Sequence, residues 1–146
     1  MLVTFQTADA VTAELNNAGD GMFSQGFNAE RKTIPTHSLK ELADLKVIVV
    51  PKSIEIEKAN RVQDMYTVSV DVGSEKKIGS DLETEVEQLS QLCGEIVEYL
   101  TRRQLTDMGG LKWHRTQNTP IYDLETLENM RVFLSVITIS YKGLSK

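Results

Sequence analysis

From Leu82 to Leu100, apolar residues return every three or four positions: Leu82, Val86, Leu89, Cys93, Ile96 and Leu100. That spacing predicts one long amphipathic helix over about residues 81–103, apolar along a single stripe that Leu92 and Val97 widen. Asp81 or Ser80 can cap its start. Glu83, Glu85 and Glu87 suit the positive end of the helix dipole, and Arg102 and Arg103 are expected in the last turn, where cations are favoured. Such a helix needs an apolar surface to lie on, so the rest of the chain must supply one.

The remaining patterns supply strands. Lys46 to Val50 (KVIVV) is a continuous β-branched run, expected to be a central strand buried on both faces and ended by Pro51. Tyr66, Val68, Val70 and Val72 alternate with Thr67, Ser69 and Asp71, a period-two strand that buries the first set. Arg131 to Tyr141 places Phe133, Ile137, Ile139 and Tyr141 on one face, and Val132, Leu134 and Val136 on the other. Two-sided apolarity implies a central position or a covered outer face. Leu111 to Thr116 reads as a short strand. Met22 to Lys32 reads as another, with Phe23, Phe27 and Ala29 on one side and Gly26 marking a bulge or a close backbone approach.

Shorter helices are expected at 7–18, capped by Thr7 or Asp9 with Val11 and Leu15 on one face and Gly19 as the stop, and at DLETLENM after Asp123, with Leu124, Leu127 and Met130 inward. Ser38 and Glu41 have capping-box spacing and predict a turn or two of helix. The segment 52–64 alternates in charge (Lys52, Glu55, Glu57, Lys58, Arg61, Asp64) and has two readings, a polar surface loop or an arm reaching a neighbouring subunit. There is no internal repeat and no linker. Helices and strands do not alternate regularly, which argues against a doubly wound nucleotide fold. The expected fold is therefore a single α/β domain of the α+β type over residues 1–146. It has a mixed, mostly antiparallel sheet of about five strands, with the long helix and the shorter ones packed on it.

A hydrophobic content of 40% with 25% charged residues is ordinary for a globular chain. The net charge of −5 argues against a general nucleic-acid binder, which needs clustered cations. Arg31-Lys32, Lys76-Lys77 and Arg102-Arg103 read as solvated surface charge. Residues 1–6 lack the pattern of a signal peptide, and no apolar run approaches membrane-spanning length. There is no P-loop, no GxGxxG after a strand and no GxSxG. The two histidines, His37 and His114, have no second histidine at ligand spacing, and Cys93 is the single cysteine, read as a small buried hydrophobe. A metal site from His114, Asp107 and Glu95, or a Cys93–His114 pair, exists only if the fold brings those residues together. The expectation is thus no catalytic residue, no metal and no cofactor. Trp113, beside His114 and Arg115, is either a sheet-face aromatic or an interface anchor, a role in which Trp and Arg are enriched.

The order of these segments carries a resemblance. It runs F-N-A-E-R from Phe27, then P-x-x-x-L-K-E-L-x-x-L-K-V-x-V-V-P-K, I-E-I-E-x-A-x-R and Y-T-V-S-V-D-V-G-S-E-K-K. The long helix, W-H-R-T-Q-N-T-P-I-Y, D-L-E-T-L-E-N-M-R and F-L-S-V-I-T-I-S-Y follow. Over most of its length the chain resembles small neck and tail proteins of long-tailed bacteriophages, of the tail-terminator type. The resemblance implies a mixed sheet flanked by helices. It also implies a homo-oligomeric ring, usually a hexamer, on the head-proximal end of the tail tube in the virion. Such a ring stops tube polymerisation and docks the head connector, with DNA passing through the lumen and without cofactor or turnover. The expected partners are other copies of the chain, the tail tube protein and the head–tail connector or stopper protein. A head–tail joining subunit of the same neck is the neighbouring possibility. A protein-binding adaptor, or a hydrolase using scattered carboxylates in a pocket of convergent titratable groups, are the readings from other classes. Arg31, Lys52, Glu55, Arg61, Lys76, Lys77 and Trp113 are the expected subunit-contact residues, on the ground of exposure and mixed charge.

Overall fold

The structure, a computed structural model, describes residues 3–19, 21–34 and 41–145. His37, and Ser38 with its expected capping box, lie outside them; the chain next forms a 3-10 turn at Glu41–Ala43.

The long helix, α2 (Leu82–Leu100), begins where the sequence predicts. Asp81 caps it, its carboxylate accepting the Thr84 N–H at 3.3 Å, and Glu83 and Glu85 occupy the first turn. Val86, Leu89, Leu92, Cys93, Ile96 and Leu100 are buried, while Leu82 is half-buried. The helix ends earlier than expected. Thr101 is extended and Arg102 takes a left-handed conformation (φ 65°), so Arg102 and Arg103 lie beyond the last turn. The chain folds back here so that Leu105 and Leu111 enter the core. Arg103 still serves the negative helix end: its Nε donates to the Tyr99 carbonyl at 3.0 Å and its guanidinium sits over the Tyr99 ring.

Five strands make one sheet: β1 (Ala29–Arg31), β2 (Lys46–Lys58), β3 (Asp64–Lys77), β4 (Lys112–Gln117) and β5 (Val132–Ser145), in the spatial order β1-β2-β3-β5-β4. β1 and β2 are parallel and every other pairing is antiparallel. Cross-strand partners share a face. The rows Val49–Val72–Ile137 and Val68–Tyr141–Trp113 therefore lie on one side, together with Val47, Val70 and Ile139. That side forms one core with α2 and with Ala8, Val11 and Leu15 of α1 (Val3–Asn16). α1 packs over β1, β2 and β3, and α2 over β5. The Tyr99 hydroxyl ties the two helices by donating to the Glu14 carbonyl at 3.1 Å. On the opposite, helix-free side Ile48 is buried as well, so β2 is covered on both faces as its β-branched run implies. Gly73, directly across from Ile48, leaves room for that side chain to lie over β3: a Cβ there would come within 3.3 Å of Ile48 Cγ1.

Five sequence expectations are corrected. First, α1 starts at Val3 rather than at residue 7, so neither Thr7 nor Asp9 caps it. Second, Met22–Lys32 is a strand only at Ala29–Arg31. Before it the chain is irregular, because Phe23 packs on Phe27 and on Tyr99 (ring centroids 5.2 and 5.4 Å) and Ser24 is bound by Glu95. Gly26 makes no close approach. Third, Pro51 does not end β2, which continues to Lys58. β1 reaches only as far as Val49, whose carbonyl accepts from Lys32 on that side. Two residues on, the missing N–H of Pro51 falls on an edge that no described strand pairs and costs no ladder bond there. Fourth, residues 52–64 are consequently not a loop but the ends of two long strands and their turn. Fifth, α3 (Leu124–Met130) turns only Leu127 inward; Leu124 and Met130 are 57% and 52% exposed. Its single useful turn of contact follows from an Asp123 cap at one end and the left-handed Arg131 at the other.

The centre of the α2 stripe is Leu92, fully buried. Leu92→Ala is expected to destabilise the fold by about 2–5 kcal/mol, measured by urea unfolding. Gly143 faces Tyr66 across the β3–β5 ladder, and a Cβ there would stand 2.8 Å from the Tyr66 ring and 2.9 Å from the Gly110 carbonyl. Backbone cannot yield as a side chain does. Gly143→Ala is therefore expected to cost about 1–3 kcal/mol and to lower Tm by several degrees, while Gly94→Ala, exposed within α2 and meeting nothing within 4 Å, is expected to stabilise by about 0.5–1 kcal/mol.

Candidate functional site

The pairing of β2 with β3 and of β3 with β5 continues beyond the helix-covered core, down to Lys58–Asp64 and Asp64–Ser145. Residues 54–58, 64–67 and 142–145, past the buried Val68–Tyr141 row, thus form a three-stranded arm. Its tip is built rather than loose. Ala59 and Asn60 donate to the Gln63 carbonyl at 3.0 and 3.2 Å, and the Asn60 side-chain oxygen accepts from Val62 and Gln63 at 2.9 and 3.0 Å. This fixed turn presents Arg61 and an 80% exposed Val62. Along the arm, Ile54 and Ile56 alternate with Glu55 and Glu57, and the two isoleucines are 43% and 65% exposed. An exposed strand edge that carries isoleucines has unpaired peptide groups and apolar side chains in one place.

The seven candidate contact residues do not converge on one site. Glu55 and Arg61 lie on the arm, exposed. Trp113 lies on β4, at the other edge of the sheet; its indole N–H donates to the Thr116 hydroxyl at 2.7 Å and Arg102 sits over its ring. Arg31 is engaged within the chain, 3.0 Å from Asp9 and stacked on Phe5. Lys52 reaches Asp71 at 3.7 Å and Thr138 at 3.4 Å. Lys76 pairs with Glu85 at 3.5 Å, at the end of β3 remote from the arm, and Lys77 beside it is exposed. Surface pairs of this kind contribute little to stability, but they direct these side chains along their own surface.

What the sequence reading missed is the regularity of the arm, since 52–64 has no apolar alternation beyond Ile54 and Ile56. It also missed a pair of β-bulges. Lys52 is an extra residue between Pro51 and Ser53, opposite Ser69. His114 is an extra residue between Trp113 and Arg115, opposite Ser140. Ser69 and Ser140 are themselves paired, with their hydroxyls 2.8 Å apart. Both edge strands are therefore bulged in the same row of the sheet.

The helix-free side has a shallow groove of about 170 Å³ lined by Ile48, Val50, Asp71, Gly73, Glu75, Leu134 and Val136. That is below the usual range for a small-molecule site. A wider, open cleft of about 430 Å³ runs along α1 past Asp9, Glu14 and Asp107. There Glu14 is committed to Arg103 and to the Thr106 N–H and hydroxyl. Among the described residues no group of three His, Cys, Asp or Glu side chains is placed to hold a metal ion, so His114, Asp107 and Glu95 do not come together. Glu95 instead accepts from the Ser24 N–H at 2.8 Å, which holds its carboxyl below the usual range. Tyr141 is fully buried, and burial with the nearby charge of Glu14 pushes its phenol up. No described helix is long and apolar enough to cross a membrane. No protein-family model and no curated protein sequence matches the chain.

Cys93 is fully buried beneath α2, as its place on the helix stripe implies, and burial pushes its thiol up against the opposing hydrogen bond of Ser135. A buried, protonated thiol is a poor nucleophile. Cys93 is expected to resist a thiol reagent such as Ellman's at neutral pH in the folded protein. It should react within the dead time once urea unfolds the chain.

Proposed function

We propose that this chain is a structural, non-catalytic subunit of the neck of a long-tailed phage. In this reading it is a tail terminator, assembling as a ring, usually of six, that caps the tail tube and docks the head connector. The observation that carries the reading is the stapled three-stranded arm, which projects exposed Ile54, Ile56 and Val62 from a closed two-layer body. A ring subunit requires those two parts: a body rigid enough to hold its angle, and a regular surface that a neighbour can cover. The resemblance in segment order to tail-terminator proteins supports the same role.

Electron microscopy of particles assembled without this chain tests it. Tails of uncontrolled, excessive length are the expected result. Tails of normal length that fail to join heads would move the role to the head–tail connector of the same neck. Complete, normal particles would overturn the neck assignment.

A further inference from the structure

The two free edges of the sheet differ in charge. Among the described residues β2 is unpaired on its outer side beyond Val49, and its residues 53–58 carry, besides Lys58 at their end, Glu55 and Glu57, both exposed and neither in an ion pair with a described residue. β4 is the opposite edge, and there Lys112, His114 and Arg115 are exposed. Pairing β2 with another β2 sets carboxylates against carboxylates, and pairing β4 with β4 sets cations against cations; like charges across a ladder repel. Only the unlike edges attract.

The backbones match too. The Val49 carbonyl bonds outward to Lys32. Counted from there through the bulge at Lys52, the alternation of an antiparallel ladder turns the peptide groups of Ile54 and Ile56 to the open side. The same count across β3 and β5 turns those of Trp113 and Thr116 outward from β4. β2 and β4 run in opposite directions within the sheet, so a copy set beside another presents them antiparallel.

We propose that successive copies of this chain join head to tail by antiparallel pairing of the β2 edge of one copy with the β4 edge of the next, Ile56 opposite Trp113. With His114 again the extra residue, Glu57 then faces Lys112, Glu55 faces Arg115 and Ile54 faces Thr116. Ile56 and Trp113 both belong to the helix-covered side, so the two sheets continue with their faces in register. The residues whose peptide groups point outward meet each other as hydrogen-bonded pairs. A slip of two residues in either direction keeps the faces but leaves one glutamate without its cation. Such a contact is heterologous, and it closes into a ring when the rotation between copies fits. Closure is the point at which this inference rests on the ring proposed above.

Cysteine trapping tests the pairing. Glu55 and Arg115 would form a non-hydrogen-bonded pair, with Cβ atoms about 4.5–5.5 Å apart, close enough for a disulfide to form with a small local shift. Within one chain the two positions are separated by β3 and β5, roughly 14 Å at the usual strand spacing, so they cannot bridge to each other. A folded chain carrying both Glu55→Cys and Arg115→Cys, oxidised at high concentration, is expected to give a ladder of covalent multimers. Either substitution alone gives dimers at most. In a second arm, Glu55→Lys with Glu57→Lys, and separately Lys112→Glu with Arg115→Glu, each raise the concentration needed for self-association at least tenfold. An equimolar mixture of the two chains, or one chain carrying all four changes, recovers it. Circular dichroism checks that each variant folds. Absence of a ladder above dimer, or reversals that leave association unchanged, overturns the edge pairing. The native mass of the unmodified chain separates the two readings. A discrete oligomer without the ladder leaves the ring standing on some other contact. A chain that stays monomeric and unladdered removes the pairing, and the particle microscopy alone then decides the neck role.

Discussion

The pairing of β3 with β5 runs unbroken from Lys77–Val132 to Asp64–Ser145, and the rest of the molecule depends on it. Along its inner half, Val68, Val70 and Val72 stand beside Ile137, Ile139 and Tyr141, and this row is the surface on which α2 and α1 close the core. Along its outer half the same two strands carry the arm. A ladder of that length joins a well-packed body to an exposed surface without a hinge. Rigidity is therefore transmitted from the buried end to the open end through continuous backbone hydrogen bonds.

Glycine and serine fit that ladder to its surroundings. Gly73 admits Ile48 on the helix-free side, and Gly143 admits the Tyr66 ring where β5 passes Gly110. Ser69 and Ser140, hydrogen-bonded to each other at the middle of the sheet, each stand opposite a bulge on the neighbouring edge strand. A bulge shifts the alternation by one residue. After Lys52, Ile54 and Ile56 fall on the same side as Val68 and Tyr66, while Glu55 and Glu57 fall on the other. Without the bulge these side chains would exchange faces, and the acidic edge would turn toward the helix side.

The core was readable in advance because its signals were local and agreed with one another. The stripe from Leu82 to Leu100, the Asp81 cap, the alternation from Tyr66 to Val72 and the two-sided apolar run of β5 each point to one structure. Errors arose where a local signal had a non-local answer. Pro51 reads as a strand end, yet it is harmless on an edge that β1 has already left. Phe23 and Phe27 read as a strand face, yet they are held by Tyr99 and by Glu95, far along the chain. Leu124 and Met130 read as core, yet so short a helix brings only Leu127 against β5. Of the candidate contact residues, Glu55 and Arg61 stand exposed on the arm, as their charge suggests, and Trp113 lies on the β4 edge. That Arg31, Lys52 and Lys76 find partners on their own surface was not readable from charge.

The sequence by itself determined the buried stripes of α2, β3 and β5 and that they form one helix-on-sheet core, because apolar period and capping chemistry act over a few neighbouring residues. Tertiary structure decided which strands lie at the edges, where their bulges fall and which charges those edges carry outward. These depend on strand order and register, which are set by contacts between residues distant in the chain. No local pattern in 52–64 or 111–117 records that β4 and the part of β2 beyond β1 are opposite edges of one sheet.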